Sequence, residues 1–190
     1  MLHVLRLGQS ESYNRTDKEN YENQIWKCFM LPADVINISK TLGMMAELEM
    51  TISEFYKCAG DLWKEDCEFW ADLAQAEASH AEYIRKMADI LNKKPQEFEP
   101  GRPLNTAAIN TAISGVRNYI QRLRNGEFNK KQTLFISRDT EQSILESKYT
   151  EILKTKEAEY QKLISEVASQ TAIHKTLLLK KIDEVVDSGL

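Results

Sequence analysis

Excess basic charge is absent from this chain. Its 25 Lys and Arg stand against 29 Asp and Glu, for a net charge of −4, so no basic face is implied and nucleic acid is not an expected partner. No apolar run reaches membrane-spanning length, and the N-terminal stretch lacks an apolar core with a cleavage site. The expectation is a cytoplasmic protein without a membrane segment. Cysteine is sparse: Cys28, Cys58 and Cys67 are odd in number and lack paired metal-ligand spacing, which argues against a disulfide framework and fits reduced thiols. Glycine and proline number only 7 and 4, and Pro32, Pro95, Pro100 and Pro103 all fall outside the long periodic runs. Helices can then run far without a break.

What is present is a 190-residue chain, 42% hydrophobic and 28% charged, which is a globular composition with enough length for one sizeable core. Residues 1–31 read as an N-terminal arm, with Ile25, Trp26 and Phe29 as docking residues for the body or for a second subunit. From Pro32 a helix is predicted, with the inward stripe Ile38, Leu42, Met45, Glu49, Ile52, Tyr56 and Ala59. Trp63 caps the core beyond it. A second helix spans about Asp66 to Asn92, and Lys93 to Pro103 is a linker rich in proline and charge. Leu104 to Asn125 reads as a third helix, striped by Ile109, Ile113, Val116, Ile120 and Leu123, with no inward carboxylate or imidazole. Asn125-Gly126 stops it. A fourth helix is expected from about Thr133 to Lys154, with Phe135, Leu145, Tyr149 and Ile152 inside. A fifth follows from about Lys156 to Val186, with Tyr160, Ile164, Val167, Thr171, His174 and Leu178 inside. No strand-like alternation is seen, so the fold class is all-α.

The chemistry sits in the second helix. Trp70, Leu73, Ile84, Met87 and Leu91 recur in steps of three and four, and Glu77 and His80 fall on the same stripe. A carboxylate and an imidazole one turn apart converge on one point, in a core where unpaired polar groups are costly. Such a Glu-x-x-His pair is the repeating unit of carboxylate-bridged di-metal sites in helix bundles. A hydrogen-bonded core pair with Tyr56 as partner is the alternative that needs no metal.

The chain also echoes itself. Tyr149 follows Tyr56 by 93 residues, and His174 follows His80 by 94. Two of only 3 histidines thus occupy equivalent inward positions. With Glu49, Tyr56 and the run Leu73-Ala74-Gln75-Ala76-Glu77-Ala78-Ser79-His80, the chain resembles the rubrerythrins of the ferritin-like superfamily. The resemblance covers roughly Ser39 to Leu91 and Phe135 to Leu179. It implies a four-helix bundle over 32–190 with Leu104 to Asn125 as crossover helix, and a homodimer. It also implies an iron centre, peroxide reduction or iron handling, and Glu49, Glu77, His80 and His174 as ligands.

The second half departs from the family pattern. The repeat offset carries Glu49 onto Gln142 and Glu77 onto Thr171. Glu146, one turn beyond Gln142, is the substitute carboxylate, and a slip of one residue would make Glu141 the match instead. With Gln142 and Thr171 neutral, the expectation is at most one well-held ion, on the Glu49, Glu77 and His80 side, or a second one bound loosely. Iron, manganese and zinc all suit such donors. The family's cysteine-rich iron module has no counterpart, so electrons would come from a separate donor protein. The alternative is a non-catalytic bundle that has lost metal chemistry and serves as an interaction or structural protein.

Overall fold

The computed structural model describes residues 30–142 and 151–187. The arm residues Ile25, Trp26 and Phe29, together with Leu145, Glu146 and Tyr149, lie outside that set. Among the described residues the chain forms five α-helices and one small sheet. No helix among them is long and apolar enough to cross a membrane.

Helix α1, Pro32–Leu62, begins with its proline in the first turn, where the missing N–H costs nothing. Helix α2, Cys67–Lys93, follows after Trp63 and a single 3-10 turn, Lys64–Asp66. Their facing stripes carry the centre of the core. Leu42, Met45, Ile52 and Tyr56 from α1 meet Trp70, Leu73, Ile84 and Met87 from α2, all buried. Trp63 is half-buried, its ring 6.3 Å from that of Trp70, at the position expected for a cap.

Helix α3, Thr106–Arg124, starts at Asn105, whose side chain accepts from the Ala107 N–H. Its buried row is Ile109, Ile113, Val116, Ile120 and Leu123, and it packs on α1. Gly126 ends the segment at φ +73, a left-handed conformation that glycine adopts without strain. Helix α4, Lys130–Glu141, opens with a capping box between Asn129 and Gln132. Helix α5, Ala158–Asp187, packs against α4 and against α2.

Two expectations about the second half need correction. The fourth helix does not run to Lys154: α4 ends at Glu141. Its inner row is Leu134, Ser137 and Glu141 rather than one through Phe135, which is only half-buried. Polar residues can occupy that row because the Thr133 and Ser137 hydroxyls donate to carbonyls one turn back, Asn129 O and Thr133 O. Phe135 lies at the flank with the Arg138 guanidinium 5.0 Å from its ring centre.

The second correction is that the chain contains strand. β1, Phe98–Pro100, pairs antiparallel with β2, Leu153–Thr155. The residue before a proline prefers extended backbone, which Glu99-Pro100 supplies in what reads as a linker. A Cβ on Gly101 would collide with the Glu151 carbonyl, so glycine is required there for the two segments to meet. Phe98 inserts below the ladder edge-on to Tyr160, 5.0 Å between ring centres.

One ionic cluster ties the pieces together. The carboxylate of Asp66, in the turn between α1 and α2, pairs with Lys130 at the start of α4 and, at 2.6 Å, with Lys181 near the end of α5. Burial alone would raise the Asp66 carboxyl, but the two ammonium groups outweigh it and hold it low.

Candidate metal centre

Four helices each deliver ionisable side chains to one interior point. In α2, Glu77 and His80 stand one turn apart, both 1% exposed, and Glu77 Oε2 lies 2.9 Å from His80 Nδ1. From α1 comes Glu49, also 1% exposed. From α4 comes Glu141, 1% exposed, and from α5 comes His174.

These residues form two groups. In each, one ligand atom per residue lies within 4.8 Å of the others: Glu49, Glu77 and His80 in the first, Glu77, Glu141 and His174 in the second. Glu77 belongs to both. Its Oε2 faces His80, and its Oε1 lies 2.8 Å from His174 Nδ1. The two imidazoles stack, with ring centres 5.5 Å apart.

Glu49, Glu77, His80 and His174 are therefore brought together as the sequence spacing predicts. Glu146 lies outside the described residues, and the carboxylate that α4 contributes is Glu141. Gln142 is exposed at the C-terminal cap of α4. One residue along a helix is a rotation of about 100°, and the inner row through Leu134 and Ser137 selects Glu141. Tyr56 confirms that register by donating its hydroxyl to Glu141 Oε1 at 2.8 Å. Thr171 is buried beside the group, its hydroxyl bonded back to Val167 O at 2.9 Å.

Hydrogen bonding does not complete the second group. His174 Nδ1 is 2.8 Å from Glu77 Oε1 and 3.5 Å from Glu141 Oε1, but neither approach is aligned as a hydrogen bond. His174 Nδ1, Glu77 Oε1 and Glu141 Oε2 have no hydrogen-bond partner among the described residues. Ion pairing with a charged His174 offsets part of the cost of burying such atoms, and a metal cation in place of its proton would serve the imidazole and both carboxylates. Oxygen and imidazole donors in this mixture suit iron, manganese or zinc, so the residues present fit a divalent metal.

The charges are strongly interdependent. Burial alone would raise Glu77, but His174 and His80 beside it outweigh that effect and hold its carboxyl at about 2. Burial would likewise lower His174, but the carboxylates of Glu141 and Glu77 lift it to about 9. Glu141 goes up: burial raises it and the charge of Glu77 adds to the rise, against the pull of His174 and Tyr56.

Gln170 is a site neighbour that inward periodicity does not reveal, because it is half-buried at the edge of α5. Its Oε1 lies 3.0 Å from His80 Nε2. The only sequence signal is its place one turn before His174. Outside it, a surface depression of about 290 Å³ opens between α2 and α5, lined by Asp72, Gln75, Ser79, Gln170 and His174. His174 of the second group lines it. No family model matches this chain, and no curated protein or solved structure matches it either, so what the centre does rests on its own residues.

Proposed function

We propose that the chain is a rubrerythrin-like protein with a ferritin-like four-helix bundle, α3 being its crossover helix, and that its centre holds a carboxylate-bridged pair of metal ions. The single observation that carries this reading is the sharing of Glu77 between two Glu–His groups. Helix bundles of that kind use a Glu from each of two helices and a Glu-x-x-His from each of two others. Glu49 and Glu141 take the single places, Glu77 and His80 one paired place, and Thr171 and His174 the other. With Glu141 in the set, three carboxylates among the described residues face the centre, so a second ion is better supported than the neutral pair Gln142 and Thr171 would allow.

The proposed activity is peroxide reduction or iron handling. Iron bound there would supply the two electrons that, with two protons, cleave the O–O bond of hydrogen peroxide to give water. The chain's own groups do the rest. Glu77 would help to hold both ions, and Tyr56 anchors Glu141 through its hydroxyl. The depression between α2 and α5 admits a molecule of peroxide size. Electrons would return from a separate donor protein, and a homodimer is the proposed assembly.

Thr171 favours a second reading, a bundle that has lost redox chemistry, because a neutral hydroxyl stands where the fourth carboxylate would be. Metal content separates the two. Full-length protein purified without chelators and loaded aerobically with ferrous iron is expected to hold two ions per chain. His80→Ala and His174→Ala should each retain one. Wild type that binds one ion or fewer, or variants that match wild type, would sink the two-ion reading. Thr171→Glu supplies the missing charge and is expected to lower the Kd of the weaker ion about tenfold, equivalent to about 1.4 kcal/mol.

A further inference from the structure

The hydrogen bonds outside His80 determine which of its nitrogens faces the centre. Gln170 Nε2 donates to Glu166 Oε1 at 2.8 Å. The amide is thereby oriented with its oxygen toward His80, and Gln170 Oε1 sits 3.0 Å from His80 Nε2. A carbonyl oxygen only accepts, so Nε2 carries a proton. Nδ1 lies 2.9 Å from Glu77 Oε2, also an acceptor, to which it donates in the metal-free protein and where a bound cation would take that proton's place.

We infer that Gln170, braced by Glu166, is a positioning residue that holds His80 with Nε2–H outward and Nδ1 presented to the Glu49 and Glu77 side. The inference rests on the metal reading above and adds to it how the first group is kept ready. A ligating imidazole needs its other nitrogen bonded to an acceptor, which sets the ring's tautomer and orientation. In this chain the acceptor is a neutral amide from α5, so the helix that carries His174 also orients the histidine of α2. Glu166 is exposed on α5, one turn before Gln170, and keeps the amide from flipping.

The test compares full-length wild type with Gln170→Leu and Gln170→Glu. Both replacements keep the side chain's bulk, but only Glu can accept from Nε2–H. In metal-free ¹⁵N-labelled protein, the His80 Nε2–H resonance, assigned by its loss in a His80→Gln variant, should be protected from exchange in wild type. It should disappear in Gln170→Leu and return in Gln170→Glu. Zinc affinity, measured by chelator competition, should fall about 10–100-fold in Gln170→Leu, the usual cost of losing such a partner, and recover in Gln170→Glu. Thermal unfolding reports that each variant is folded. An exchange-protected resonance and unchanged zinc affinity in Gln170→Leu would overturn the inference, as would failure of Gln170→Glu to restore either. Should wild type bind no zinc, the metal reading falls by itself, and the resonance alone decides the role of Gln170.

Discussion

Glu77→Gln is expected to remove metal from both positions at once, while every other single ligand change removes it from one. Glu77 is the only residue common to the two groups, and each of its oxygens serves a different imidazole. Losing a residue that only hydrogen-bonds a ligand costs about 10–100-fold in metal affinity, so losing this shared carboxylate should cost at least about 100-fold for each ion. Elemental analysis of the loaded variant beside Glu141→Gln checks it. Glu141→Gln should keep the ion of the first group. Two ions in Glu77→Gln would show that Glu77 bridges nothing.

The same substitution should destabilise the metal-free protein. Glu77 is buried between His80 and His174, and its carboxyl falls from 4.5 to about 2. A shift of that size, and the general cost of breaking a buried charge pair, both point to a loss of the order of 3 kcal/mol. Urea unfolding near pH 6 in the presence of a chelator measures it. Unchanged stability would mean that the imidazoles are not held by this carboxylate.

The stability of the metal-free protein should also follow a defined pH profile. Glu77, lowered from 4.5 to about 2, contributes stability that is complete above 4.5 and disappears as pH falls toward 2. His174, raised from 6.5 to about 9, contributes stability that is complete below 6.5 and disappears as pH rises through 9. Both contributions are therefore full only between 4.5 and 6.5. Glu141 opposes them, since its raised carboxyl makes its ionisation a cost above its ordinary value of 4.5. The thermal midpoint should thus be highest in the acidic window and decline toward pH 9.

Metal loading should reverse the alkaline limb. The ligands must shed protons to bind, so affinity rises with pH and bound metal stabilises the folded state by mass action. Thermal scans across pH, with chelator and with excess zinc, test both limbs. A flat chelated profile between 6.5 and 9 would show that the carboxylates do not hold the His174 proton.

The amino-acid sequence by itself determined α1, α2, α3 and α5 and the residues of the first group. The stripe through Met45, Glu49, Ile52 and Tyr56 and the stripe through Trp70, Leu73, Glu77 and His80 belong to long, well-marked helices. The 3.6-residue period in them leaves no freedom in which side chains turn inward. The scarcity of glycine and proline and the row Ile109 to Leu123 likewise placed α3 within a residue or two of its observed ends. His174 was legible for the same reason, on a stripe with Tyr160, Val167 and Leu178.

Only the tertiary structure decided the second carboxylate. In α4 the choice between Glu141 and Gln142 is a rotation of about 100°, and Phe135, the largest apolar side chain there, points to the wrong row. Leu134 and the small polar residues Thr133 and Ser137 fill the interior because the Tyr56 hydroxyl and His174 lie opposite Glu141, contacts between segments far apart in the chain. Local periodicity carries no information about such partners. The same holds for the pairing of β1 with β2, in which Gly101 meets a backbone segment about fifty residues away, and for Gln170. A half-buried amide at the edge of α5 looks like an ordinary surface residue until folding sets His80 beside it.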